Sequence, residues 1–156
     1  MTICAGWAPN RPWIFFAKID TRWTELIRFL RMAKKVLVVD DDPEMVNLIK
    51  YSLEQGGFEV FSCDNGRMAM EEIRRVSPNL LVLDVMLPGV DGYSIQAAVS
   101  EDERLKNIPA IVLTALEPSR ALFQKFSQVA CFMTKPFKPE ELLEAANAAI
   151  ASSGKP

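Results

Sequence analysis

Acidic, hydroxyl and amino side chains stand where apolar runs end in this chain, and together they suit phosphoryl chemistry. "VLVVDDDP" at 36–43 sets Asp40, Asp41 and Asp42 directly against four apolar residues. The run 80–83 leads into Asp84, the run 109–113 into Thr114, and the run 129–133 is followed closely by Lys135. Two carboxylates about 4 Å apart repel by roughly 4 kcal/mol at an intermediate dielectric, so the acids need a counter-charge. Clustered carboxylates in a chain without histidine point to a hard, oxygen-preferring cation such as Mg²⁺. Beside such a cation a carboxylate can attack phosphorus and form an acyl phosphate. The phosphoryl oxygens then need further donors. On this logic Asp84, alone at the end of its run, is the nucleophile, and Asp40 and Asp41 hold the metal. Lys135 pairs with phosphoryl oxygen and Thr114 donates a hydrogen bond to it. Asp42 reads instead as a helix N-cap, with Pro43 at the first helical position.

The elements that must position these residues follow from periodicity. Short apolar runs at 36–39, 58–61, 80–83, 109–113 and 129–133 are strand-length. Between and after them lie helix-like stretches at 43–55, 65–76, about 91–103, 117–127 and 139–151. Gly56-Gly57 closes the first helix, and "KPEE" at 138–141 opens the last. Five βα units predict an α/β fold with a parallel sheet and helices on both faces. Ligands of such sheets gather at the carboxyl ends of the strands, where all these polar residues fall.

Composition narrows the function. The 156 residues are 49% hydrophobic and 24% charged, ordinary for a globular domain. A formal net charge of −2 argues against nucleic-acid binding through phosphate neutralisation. With no histidine, triad catalysis and imidazole zinc sites are excluded, and the chain cannot carry a phosphohistidine itself. There is no nucleotide-binding glycine motif, and nothing approaches the length of a transmembrane span. Cys4, Cys63 and Cys131 show no C-x-x-C spacing and read as idle thiols in a reducing cytoplasm.

Four stretches, "VLVVDDDP" (36–43), "LLVLDVMLPGVDG" (80–92), "AIVLTA" (110–115) and "FMTKPF" (132–137), occur in order at a spacing that resembles the receiver domain of two-component response regulators. The resemblance covers about residues 34–151. It implies a flavodoxin-like, doubly wound, five-stranded parallel sheet of strand order 2-1-3-4-5 with five helices. It makes Asp84 the phosphoacceptor, with Asp41 ligating Mg²⁺ directly, Asp40 largely through water, and the Met86 carbonyl completing the protein's share. Thr114 and Lys135 engage the phosphoryl group. Phe132 takes the place of the switch aromatic, whose ring turns inward as Thr114 moves. The Lys135-Pro136 bond is implied to be cis. A histidine kinase or phosphotransfer protein is the implied donor and a downstream protein the target, with no direct nucleic-acid contact. A monomer or a phosphorylation-dependent dimer is expected.

The chain departs from the family pattern in places. Phe132 lacks the hydroxyl of the commoner tyrosine, and "FSQVACF" (126–132) lacks the usual glycine before the fifth strand. Met86 and Leu116, two beyond Asp84 and Thr114, cannot orient an attacking water, which predicts slow autodephosphorylation. A haloacid-dehalogenase-type phosphatase would need an acid at position 86. A degenerate receiver, acting as a phosphorylation-independent interaction module, is the other alternative.

Residues 1–31 hold five basic and two acidic side chains and all three tryptophans; residues 34–156 hold thirteen basic and eighteen acidic. Residues 1–33 are therefore read as an extension. It is either translated upstream of a start at Met32 or a short amphipathic helix with Trp23, Leu26, Ile27 and Leu30 on one face. Residues 152–156 are a short tail. The whole reads as a stand-alone, cytoplasmic, single-domain regulator and not an enzyme acting on other molecules.

Overall fold

The structure, a computed structural model, describes residues 33–115 and 120–153. Strands and helices alternate: β1 (Lys35–Val39), α1 (Pro43–Gln55), β2 (Glu59–Cys63), α2 (Gly66–Val76), β3 (Leu80–Asp84), α3 (Gly92–Glu101), β4 (Ala110–Thr114), α4 (Arg120–Phe123), β5 (Val129–Thr134) and α5 (Pro139–Ser153). All strand pairs are parallel, in the order β2-β1-β3-β4-β5, as expected.

The sheet separates two main cores. Val36, Val38, Val82, Ile111 and Leu113 pack towards α1 and α5, meeting Ile49, Leu53, Leu142 and Ala146. Leu37, Val39, Leu81 and Leu83 pack towards α2 and α3, meeting Ala69, Ile73, Ile95 and Val99. Alternate side chains of β1 and β3 thus serve opposite faces, which is why these strands read as unbroken apolar runs. A third, smaller cluster joins Val112 to Phe123 and Phe126.

Helix starts lie at the same edge as the site. Asp42 caps α1 by accepting from the Glu44 and Met45 N–H groups at 2.9 and 3.3 Å. Asn65 caps α2 through the Arg67 N–H, and Asp91 caps α3 through the Ser94 N–H. Each cap satisfies donors that the helix leaves unpaired, so the carboxyl edge of the sheet carries structural as well as chemical carboxylates. Gly57, at φ +83°, reverses the chain after α1.

Several boundaries differ from the expected ones. The fourth helix, expected over 117–127, is among the described residues only Arg120–Phe123. Phe123 and Phe126 both turn inward, and Phe126 N–H bonds to the Phe123 carbonyl at 3.0 Å, a tighter turn than α-helix allows. β2 begins one residue late because Phe58 belongs to the turn after α1, with its N–H on the Leu53 carbonyl at 3.2 Å. Asp84 and Thr114 are the last residues of their strands, not the first beyond them. The third helix ends at Glu101, two residues early, and α5 ends at Ser153, two residues late. The readings of residues 1–32, of Leu116 and of the last three residues lie outside the described residues.

Candidate functional site

Register brings the acids together. Val39 pairs with Leu83, so Asp40, next after β1, falls beside Asp84 at the end of β3. Asp40 has no exposed surface and Asp84 very little, whereas Asp41 is exposed. One oxygen from each of the three lies within 4.8 Å of the others.

Lys135 reaches this group from the far edge of the sheet. Its N–H bonds to the Thr114 carbonyl at 2.8 Å. Its Nζ donates to Asp40 Oδ2 at 2.7 Å and to Asp84 Oδ2 at 2.8 Å. The remaining oxygens are also occupied: Asp40 Oδ1 accepts from the Asp42 N–H at 2.9 Å and Asp84 Oδ1 from the Met86 N–H at 3.1 Å. Each buried carboxylate is therefore held by one backbone amide and one shared ammonium, the charge-assisted arrangement that buried ions require.

Burial pushes the Asp40 carboxyl above the usual carboxylate range, and the bonds from Lys135 and the Asp42 N–H only partly oppose this. Burial works to lower the Lys135 ammonium. Its hydrogen bonds to Asp40 and Asp84 outweigh that, and the net shift is upward. Lys135 is thus a fixed cation between two acids.

One ammonium against three carboxylates leaves the group electron-rich, with only oxygen donors facing one another. That donor set fits a hard divalent cation. An open hollow of about 420 Å³, lined by Asp40, Asp41, Asn47, Ser62 and Asp64 among others, adjoins it.

Thr114 is buried at the end of β4 in register with Thr134, and Phe132 pairs with Val112 on the neighbouring strand. The Met86 side chain is exposed at the rim. The Lys135-Pro136 bond is cis. Below Asp84, α3 begins so close to the strand that a Cβ on Gly92 would run into the Asp84 carbonyl oxygen. Sequence reasoning did not single out Gly92, nor two other features of α3. Tyr93 joins an aromatic cluster with Phe123 and Phe126, and Gln96 is fully buried with neither amide atom bonded. Only Gln96 left a trace in the sequence, as a polar residue beside the apolar Ile95 and Val99 positions.

The response regulator receiver domain profile matches residues 36–147. The chain is 36% identical over 110 residues to the DNA-binding dual master transcriptional regulator RpaA of Synechocystis sp., covering 70% of this chain and 46% of that protein. It thus spans about half the length of the curated relatives it matches, such as RpaA and the PhoP regulator of Bacillus subtilis. The receiver domain of a Pseudomonas aeruginosa sensor histidine kinase, whose structure has a magnesium ion coordinated in the active site cleft, superposes with a TM-score of 0.69 at 27% identity. That match covers 76% of this chain and 98% of the other.

Proposed function

This chain belongs to the response regulator receiver domain family, and on that premise we propose that Asp84 is its phosphoacceptor. The observation that carries the reading is the Lys135 ammonium shared between Asp40 and Asp84, with an Asp41 oxygen within reach of both. The donor is a histidine kinase or a phosphotransfer protein, and a protein partner reads the result. Family membership supports a cytoplasmic location; in the described residues no helix is long and apolar enough to cross a membrane.

An Asp84 carboxylate oxygen attacks phosphorus of a phosphohistidine, forming the O–P bond as the P–N bond breaks. The imidazole nitrogen keeps the electron pair and takes up a proton. Asp40, Asp41, Asp84 and the Met86 carbonyl are the groups that would hold Mg²⁺, which offsets charge on the carboxylates and the phosphoryl oxygens. Lys135 already touches Asp84 Oδ2 and is placed to transfer its hydrogen bond to a phosphoryl oxygen. Thr114 supplies a hydroxyl from the next strand, and its movement draws the Phe132 ring inward. Lys135 and the backbone amide of Met86 keep Asp84 oriented.

The test is Mg²⁺-dependent phosphorylation by acetyl phosphate, followed by phosphotransfer profiling against kinases of the source organism. Asp84→Ala is expected to abolish both. Absence of any Mg²⁺-dependent response in the unaltered chain would overturn the reading in favour of a phosphorylation-independent interaction module. Because Met86 and Leu116 offer no group to orient water, the acyl phosphate is expected to persist for minutes or longer; a half-life of seconds would contradict this.

A further inference from the structure

In this chain the aromatic at the switch position is part of a continuous set of rings. Phe132 on β5 meets Phe123 of α4 edge-on at 5.5 Å between centroids, 77° apart in plane. Phe123 meets Tyr93 of α3 at 5.6 Å and 83°. Phe126 closes the set, 5.5 Å from Tyr93 and 6.0 Å from Phe123. The Lys125 ammonium lies over Tyr93 at 4.9 Å and over Phe126 at 5.0 Å.

The same cluster touches the phosphoacceptor region from two sides. It includes Val112, two residues before Thr114, and packs against Val85, the residue after Asp84. Phe123 is 1% exposed, so it cannot yield to a turning Phe132 by swinging into solvent. Close-packed rings transmit strain to one another. Among the described residues α4 spans Arg120–Phe123, and Phe123 and Phe126 seat its end in the third cluster.

We propose that Phe123 carries the rearrangement of Phe132 to Tyr93, so that the phosphorylated state is expressed on α3 at the Tyr93–Lys125 surface. Tyr93 is thereby a tyrosine in ring contact with the cluster, although the residue at the switch position has no hydroxyl. Phe123 is a positioning residue. The inference rests on the phosphoacceptor reading of Asp84.

The chain has two tyrosines, and Tyr51 on α1 is 66% exposed and outside the cluster, so it serves as an internal reference. The full chain is labelled with 3-fluorotyrosine, and the two ¹⁹F resonances are assigned with Tyr51→Phe and Tyr93→Phe. Beryllofluoride with Mg²⁺, a phosphoryl mimic with its own bound ¹⁹F signals, is then added. The Tyr93 resonance is expected to shift and that of Tyr51 to stay. In Phe123→Leu the bound beryllofluoride signals are expected to remain while the Tyr93 shift is lost; Phe132→Leu, which breaks the link at its other end, should do the same. Bound beryllofluoride with an unmoved Tyr93, or a full Tyr93 shift in either variant, overturns the proposal. Failure of beryllofluoride to bind at all instead overturns the phosphoacceptor reading, and the relay with it.

Discussion

Lys135 is the residue on which the site's electrostatics turn, because its one ammonium serves two buried carboxylates. Replacing it with methionine leaves Asp40 and Asp84 facing each other uncompensated, and breaking a buried pair typically costs about 3–5 kcal/mol. Lys135→Met is expected to lose stability of that order in urea melts with chelator, and to regain part of it when Mg²⁺ is added. Asp40 sets the pH dependence. Its folded-state affinity for a proton exceeds that of the unfolded chain, so ionising it costs folding free energy. In chelator, stability from this group therefore falls as pH rises from the ordinary carboxylate value through the raised one. Mg²⁺ competes with the proton, so the rise in Tm that Mg²⁺ causes is expected to shrink as pH drops into the same window. Calorimetry at a series of pH values from about 4 upward checks both signs. The types and spacing of Asp40, Asp41, Asp84, Thr114 and Lys135 were legible in the sequence. That Lys135 contacts Asp40 as well as Asp84 was not, since 95 residues separate the two.

Among the elements, α3 bears on the site most directly. Its first turn touches the backbone of Asp84 at Gly92, where no side chain fits. Gly92→Ala is expected to destabilise the fold by about 1–3 kcal/mol, as overpacking does, and to slow phosphorylation of Asp84 by displacing its strand end. One turn on, Gln96 is buried with both amide atoms unbonded. A buried unsatisfied polar group costs about 1–3 kcal/mol, so Gln96→Leu is expected to raise Tm in thermal melts. The end of α4 at Phe123, before the expected residue 127, shows where periodicity misleads. Apolar spacing across 121–126 suits a longer helix, but Phe123 and Phe126 both face the third cluster and the chain turns early to reach them. Tertiary packing overrode local propensity there.

For the molecule as a whole, the cation site links ligand binding to folding. At a Mg²⁺ concentration about 100 times Kd, stabilisation of about 2.7 kcal/mol is expected, and Asp41→Asn should remove most of it without disturbing the buried acids. The layer arrangement was legible in the sequence because five apolar runs alternate with helical periods and a parallel sheet must cover both its faces, whereas the strand order followed from the family resemblance. The motif residues carried the family. What the sequence determined by itself was therefore which residues stand at the carboxyl edge and what chemistry their types allow. Only the tertiary structure decided the rest: that one ammonium spans two acids, that α3 lies against the Asp84 backbone, and that Phe132 joins a ring cluster ending at Tyr93. These are contacts between residues far apart in the chain, set by side-chain packing, and neither periodicity nor spacing encodes them.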